Sequence, residues 1–241
     1  MKKYNQNRVI TPAMFKVLTG IHITEKHTGK MYGLSSVSTS CLLNPFCQAR
    51  RLDKDSICAH CYAAAMLEAT RKNMNPCLTQ NFEILTTEII DVWDLPTIYA
   101  PAFRFEAFGD VYNDIQMLNY INIAKKNPNV PMAIFSKNWQ IVENAFRIYG
   151  KPENMQFIYS WSKMNGCRED AEAFKAAHPC IDKVFIVVDA EFALENDIII
   201  NCARECINCL KCYTANDESI IYEILKSEEK RYFKSVAKLN K

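Results

Sequence analysis

The chain has 241 residues, of which 11 are cysteine and only 6 are glycine. Glycine usually makes up about 7% of a protein, and the chain carries no Gly-rich phosphate-binding motif, which argues against a nucleotide fold built on such a loop. Hydrophobic residues make up 49% and charged residues 23%, with a formal net charge of +2. This is the composition of an ordinary globular domain, and no overall field draws it to nucleic acid or to an anionic membrane.

The apolar runs of the chain indicate its compartment. None approaches the roughly 18 residues that a membrane span needs, and the first residues lead into no apolar stretch of signal-peptide length. We therefore expect a cytoplasmic protein with no membrane partner. Thiols stay reduced in that compartment, so the cysteines point to metal binding or catalysis before disulfides.

The first part of the chain has little regular periodicity. Residues 1–14 are predicted to form an irregular arm, and residues 15–23 a first strand. A long non-periodic loop then holds two cysteines, which favours a loop wrapped around a bound group; with the cysteines that follow, it makes a first cysteine loop over residues 28–61. Helices are predicted over residues 59–73 and 77–93.

From residue 98 onward, strands and helices alternate. The predicted strands are 98–108, 132–136, 155–161 and 184–188, and the helices between them are 113–126, 139–149 and 169–177. This βα core, residues 98–200, is followed by a second cysteine loop over 202–212 and a C-terminal helix over 216–241. The alternation predicts one α/β domain with a mostly parallel sheet. Five or six units are too few for a complete barrel, so we expect a partial (β/α) barrel, similar to a TIM barrel, or an open sheet.

Eight cysteines fall into two groups with metal-ligand spacing. The first cysteine group is Cys41, Cys47, Cys58 and Cys61, and the second cysteine group is Cys202, Cys206, Cys209 and Cys212. Thiolates separated by two residues can reach one metal ion or cluster. We predict that both loops bind metal, with one or two [4Fe-4S] clusters favoured by the dense second group and zinc as the alternative. The spacing leaves open whether the groups form one site or two.

One predicted strand carries charges that a buried parallel strand normally lacks. Alternation places Arg104, Glu106 and Asp110 on one face, and charges there cost several kcal/mol unless they are paired or solvated. One interpretation is an edge strand with a wet face. The functional interpretation is a polar cleft for a small molecule at the carboxyl ends of the strands, formed by these three residues with Gly109 and Lys137.

Four motifs in one order, spanning about residues 31–213, resemble the bacteriophage gene product 88 family. The motifs are Cys58-Ala59-His60-Cys61-Tyr62-Ala63, Phe108-Gly109-Asp110-Val111-Tyr112, Phe135-Ser136-Lys137-Asn138-Trp139 and Cys206-x2-Cys209-x2-Cys212. The Cys-Tyr-Ala segment is also similar to radical-SAM proteins of phage origin, in which three cysteines hold a [4Fe-4S] cluster and the fourth iron binds S-adenosylmethionine.

This resemblance implies a radical-SAM-like fold in the cytoplasm of the phage host. It implies cluster ligation by Cys47, Cys58 and Cys61, and a contact from Gly109 and Asp110 to the methionine amine. Ten residues separate Cys47 from Cys58, where the radical-SAM pattern has three, and Cys41 is a candidate for the open iron. Whether the protein is an enzyme stays open.

A second hypothesis is a zinc-stabilised, non-enzymatic protein that contacts nucleic acid or a host protein. The near-neutral charge argues against a nucleic-acid partner, while the lysines of the C-terminal segment keep that partner as an alternative. The sequence leaves the oligomeric state open.

Overall fold

Seven strands form one open sheet in this computed structural model, which describes residues 8–25 and 27–239. The strands are β1 (Ile23–Glu25), β2 (Ser35–Val37), β3 (Phe103–Phe105), β4 (Met132–Ser136), β5 (Met155–Ser160), β6 (Lys183–Val188) and β7 (Ile220–Ile224). Their order in the sheet is their order in the chain, and β1 is antiparallel to β2 while the following strands are parallel. The expected α/β class with a mostly parallel sheet is confirmed, in its open form.

Ten α-helices accompany the sheet in the described residues. They are α1 (Pro12–Thr19), α2 (Pro45–Leu52), α3 (Tyr62–Glu68), α4 (Asn75–Thr87), α5 (Asp114–Lys126), α6 (Trp139–Tyr149), α7 (Arg168–Ala177), α8 (Ala190–Glu195), α9 (Cys206–Cys209) and α10 (Glu229–Leu239). Short 3-10 turns lie at Ile57–His60 and Lys72–Met74. Among these helices, none has the length and apolarity that crossing a membrane requires.

The two faces of the sheet are covered differently. One, the helix-covered face, packs alternate strand residues such as Phe105, Ile134 and Phe157 in the main core. The other, the loop-covered face, packs Phe135 and Phe185 against the second cysteine loop. Because both faces are buried, the central strands are nearly continuous apolar runs.

The predicted strand over residues 15–23 is wrong, because this segment begins with helix α1. Thr11 caps the helix by accepting a hydrogen bond from the Met14 N–H, and Pro12 takes the first helical turn, where its missing N–H is tolerated. Gly20 ends the helix in the left-handed conformation. The predicted N-terminal arm, residues 1–14, lies partly outside the described residues, and its described end is already helical.

The predicted C-terminal helix over 216–241 is also wrong in its first half. Residues Ile220–Ile224 form strand β7, which pairs in parallel with β6, and the helix starts only at Glu229. Four of the five strand residues are buried. β-branched residues fit a strand buried on both faces better than a helix with one apolar stripe. Residues 240–241 of the predicted helix lie outside the described residues.

The middle of the chain follows the prediction closely. The predicted boundaries of α5 are off by one residue, and those of β4 and α6 agree with the structure. Strand β3 is shorter than the predicted 98–108. It ends at Phe105 because Glu106 has a left-handed backbone with φ of 57°.

Candidate functional site

The four thiols of the first cysteine group, which come from separate segments, lie together. Cys41 follows β2, Cys47 lies in α2, Cys58 lies in a 3-10 turn and Cys61 precedes α3. The Cys41 and Cys61 side chains are hydrogen-bonded to each other. Cys47 lies within electrostatic range of Cys58 and Cys61. The structure therefore brings the four thiols near one another, while their role as metal ligands stays a prediction.

The thiols of this group differ in acidity. The hydrogen bond from Cys41, with backbone N–H groups of Ala63 and Ala64, lowers the pKa of Cys61 to about 6. The same hydrogen bond and burial raise the pKa of Cys41. Burial is also the main cause that raises the pKa values of Cys47 and Cys58. Cys61 is thus the most acidic thiol of the group.

The first cysteine group lies at the carboxyl edge of the parallel strands. Cys47 and Cys58 are both close enough to Asp110, which follows β3, for its charge to act on them. Lys137 directly follows β4, and its positive charge acts to lower the pKa values of Cys58 and Cys61. The carboxyl edge of a parallel sheet is where α/β proteins commonly bind ligands.

The second cysteine group lies on the loop-covered face of the sheet. The Cys202 N–H donates to the Tyr222 carbonyl at 3.1 Å, and the Cys206 N–H donates to the Lys30 carbonyl at 3.0 Å. Burial raises the pKa of Cys206 and raises that of Cys212 to about 12. Cys206 packs against the apolar clusters of both groups, so the two groups are neighbours.

The cysteine side chains of the described residues are not arranged around a common point where one ion would bind. Across residues 8–25 and 27–239, no three His, Cys, Asp or Glu side chains are arranged to hold a metal ion. A structural zinc ion takes four ligands, and its bonds to cysteine sulfur are about 2.3 Å long, so binding would require the thiols to turn inward. The donor chemistry nevertheless fits a thiolate-bound metal, because each group gathers four cysteines, all of them unpaired by disulfides. The three remaining cysteines, Cys77, Cys167 and Cys180, are partly exposed.

Glu106 does not face the predicted polar cleft. Its carboxylate accepts hydrogen bonds from the Thr39 N–H at 3.1 Å, from Gln116 Nε2 at 2.7 Å and from the Tyr120 hydroxyl. Gln116 and Tyr120 belong to α5, and Tyr120 packs on Phe105 of the helix-covered face. The left-handed backbone at Glu106 breaks the strand alternation, so its predicted common face with Arg104 is wrong. Burial raises the pKa of Glu106 to about 8.

The fold itself requires glycine at position 109. Its φ is +82°, and a Cβ atom there would lie 2.7 Å from the Thr39 carbonyl oxygen and 2.9 Å from Glu106 Oε2. Glycine therefore permits the loop after β3 to pack against the segment that leads to Cys41. Its predicted contact to a small molecule is untested and stays a prediction.

Asp110, Lys137 and Arg104 lie in two places. Asp110 is buried and accepts hydrogen bonds from Ser136 Oγ and from the Lys137 and Val111 N–H groups, while burial raises its pKa. Lys137 Nζ donates to Ser160 Oγ at 2.7 Å. These two residues adjoin the first cysteine group. Arg104 lies on the loop-covered face beside the second cysteine group.

Several residues around the two groups escaped the sequence analysis. Thr39, Gln116 and Tyr120 surround Glu106, and their contacts depend on the non-repetitive backbone at that residue. Tyr213 and Lys30 line the cavity at the second cysteine group. Tyr213 directly follows Cys212, and this adjacency is a signal that sequence reasoning had available.

The comparison with protein families decides the affiliation. A family model described as gene product 88 matches residues 5–215. The chain belongs to the gene product 88 family. The match covers all eight grouped cysteines and the five residues of the predicted polar cleft. No curated protein and no solved structure matches the chain.

Proposed function

We propose that this gene product 88 protein is a cytoplasmic iron–sulfur protein with a cluster held by the first cysteine group. The proposal is supported chiefly by one observation, the meeting of four thiols from separate segments. These thiols lie at the carboxyl edge of a parallel sheet. Clusters are held by Cys thiolates, which this group supplies.

Different residues would bind the cluster and the small molecule. Cys47, Cys58 and Cys61 would hold the cluster, and Cys41, in contact with Cys61, is a fourth ligand or leaves one iron open. The cluster would supply redox-active iron. Lys137 presents a cation next to these thiols, and Asp110 is fixed by three donors. These two residues are our candidates for binding the polar end of a small molecule such as S-adenosylmethionine.

Metal analysis tests the cluster. The protein is purified without oxygen, and its iron, acid-labile sulfide and zinc are measured per chain. We expect iron and sulfide in equal amounts, reduced in the variant Cys58→Ser and unchanged in the matched control Cys77→Ser, which lies outside both groups. Zinc with no sulfide in the intact protein would contradict the proposal.

Ligand binding tests the small-molecule part. Equilibrium dialysis measures S-adenosylmethionine bound to the cluster-replete protein, to Lys137→Met and to the exposed control Lys163→Met. We expect Lys137→Met to weaken binding roughly tenfold, or about 1.4 kcal/mol, with the control unchanged. No binding to the replete protein would refute this ligand while leaving the cluster intact.

A zinc-stabilised binding protein is the second candidate, and the direct contact between Cys41 and Cys61 favours it. Two touching thiols are close enough to share one ion. The metal analysis separates the candidates, because zinc sites contain no sulfide. If zinc is found, binding to nucleic acid is then measured over a range of salt concentrations, and binding by charge must weaken as salt rises.

A further inference from the structure

Within residues 8–25 and 27–239, no carboxylate forms an ion pair with the Arg104 guanidinium on the loop-covered face. It stacks on the Phe135 ring at 3.8 Å, and one terminal nitrogen lies 3.9 Å from the Met31 sulfur. Its Nε is buried without a hydrogen-bond partner. The residue as a whole is half-buried, and because a guanidinium stays charged, one with a buried nitrogen is stabilised by a negative group nearby.

Tyr213, which lies near Arg104, also has a polar atom without a hydrogen-bond partner. Its side chain is 3% exposed, and its hydroxyl group is buried without a partner. Arg104 and Tyr213 line one cavity together with the four thiols of the second cysteine group. Two unsatisfied donors therefore meet at a set of four sulfur atoms, and buried polar groups without partners are rare enough to need an explanation.

The other cations at this cavity already have carboxylate partners. Lys30 pairs with Glu223 at 2.8 Å, and Arg204 pairs with Glu223 and Glu229. Cysteine thiols are neutral while they keep their protons, so they cannot balance Arg104 in that form. Metal binding removes one proton from each ligating thiol to the solvent. Four thiolates around a divalent ion or an oxidised cluster then leave an excess of negative charge.

We propose that the second cysteine group is a separate thiolate metal centre, for zinc or an iron–sulfur cluster, whose charge is balanced by Arg104. Tyr213 donates a hydrogen bond to one of its sulfur atoms. Arg104 and Tyr213 are positioning residues, because they act on the metal through its ligands. The inference extends the proposed function to a second centre and does not require the first to be occupied.

The test uses the full chain with the first group disabled by Cys47→Ser, Cys58→Ser and Cys61→Ser. In this background we compare the unmodified Arg104 with Arg104→Met, Arg104→Lys and the control Arg147→Met at an exposed site. Each protein is loaded separately with zinc, and with iron and sulfide. The measurements are metal per chain and its rate of release to a chelator, with circular dichroism confirming the fold.

We expect one centre in the background protein and release at least about tenfold faster in Arg104→Met, which keeps the apolar stack but loses the charge. Arg104→Lys restores slow release in part, and Arg147→Met changes nothing. Tyr213→Phe shifts the visible absorption if iron is bound, and speeds release if zinc is bound. Equal release from Arg104→Met and its control overturns the role of Arg104.

A second arm separates this inference from the proposed function. The variant Cys206→Ser, Cys209→Ser keeps the first group. Metal in this variant but none in the first-group-disabled protein would overturn the inference and leave the proposed function standing. Metal only in the first-group-disabled protein would do the reverse.

Discussion

Glu106 is a buried carboxyl group that hydrogen-bond donors surround instead of water. The Thr39 N–H, Gln116 Nε2 and the Tyr120 hydroxyl all point at it, yet burial dominates and raises its pKa to about 8. Desolvation disfavours the ionised form of a carboxyl group. The residue thus joins the β2 end, the β3 end and α5 through a group that gains a charge near neutral pH.

The raised pKa predicts a pH dependence of stability. Between an unfolded pKa of about 4.3 and the folded value of about 8, the folded state holds a proton that the unfolded state has released. Stability from this group is therefore present at low pH and is lost as pH rises through that window, by up to about 1.4 kcal/mol per pH unit. We expect Glu106→Gln to remove this slope between pH 5 and 8. Denaturant unfolding measures it, and parallel curves for the two proteins would contradict the assignment.

Gly109 gives a prediction with a control in the same chain. Gly109→Ala combines a positive φ with a Cβ atom 2.7 Å from the Thr39 carbonyl oxygen. Gly29 also has a positive φ, of +75°, but open space around it. We expect Gly29→Ala to cost about 1–2 kcal/mol and Gly109→Ala to cost about 1–3 kcal/mol more, for the overpacking. Thermal unfolding compares them, and equal losses would show that the close approach to Thr39 is relieved without strain.

At the residue scale, the cysteines are easier to interpret from the sequence than the charges. Ligand spacing is local, and the structure brings the thiols of each set near one another, while metal binding by them stays a prediction. The face of Glu106 depends on whether the strand continues past Phe105, and a left-handed residue there resets the period of two. No pattern in the sequence marks that change, because glutamate rarely adopts this backbone.

At the scale of elements, β7 shows how an edge is closed. On its outer side the segment before the second cysteine group lies along the strand. Asn201 accepts a hydrogen bond from the Tyr222 N–H at 2.8 Å and donates to the Ile220 carbonyl at 2.9 Å. The Asn201 side chain thus takes the place of a neighbouring strand. This protects the edge, because unpaired backbone groups of an exposed strand can pair with another chain. The sequence predicts a helix at this strand, because short apolar runs fit the periods of both a helix and a strand.

Removing the Asn201 side chain tests this closure. Asn201→Ala leaves two backbone groups of β7 without partners, and we expect a loss of about 1–3 kcal/mol in the free energy of unfolding. Asn196→Ala is the matched control, because this exposed residue donates to a carbonyl within its own helix end. We expect the control to stay within about 0.5 kcal/mol. A loss at Asn201 no larger than that would mean that solvent satisfies the strand edge.

At the scale of the whole molecule, the grouped cysteines lie in loops and short helices, apart from the long strands and helices of the sheet. The α/β class followed from the alternation of apolar strands with helices between residues 103 and 188, where local signals agree with the fold. The paths of the two cysteine loops did not follow, because they rest on single contacts such as that between the Cys206 N–H and the Lys30 carbonyl. Metal ligation would add to the order of these loops, because metal binding by cysteines is coupled to folding.

Hydrogen exchange tests that division of stability. We expect metal removal by an anaerobic chelator to speed amide exchange in residues 41–61 and 202–213. Strands β3 to β6 should keep their protection, because their two buried faces do not depend on the metal. Mass spectrometry of proteolytic fragments resolves these regions. A uniform loss of protection across the sheet would contradict the division.

The sequential strand order has a consequence for folding of the protein during its synthesis on the ribosome. Each parallel strand pairs with its predecessor in the chain, so the sheet can grow as the chain emerges, N-terminal part first. The segments that carry the first cysteine group and its neighbours Asp110 and Lys137 are complete once β4 has left the exit tunnel. The second cysteine loop is held by the Tyr222 carbonyl, far closer to the end of the chain. We therefore expect the two cysteine groups to assemble in a fixed order during translation, the first before the second.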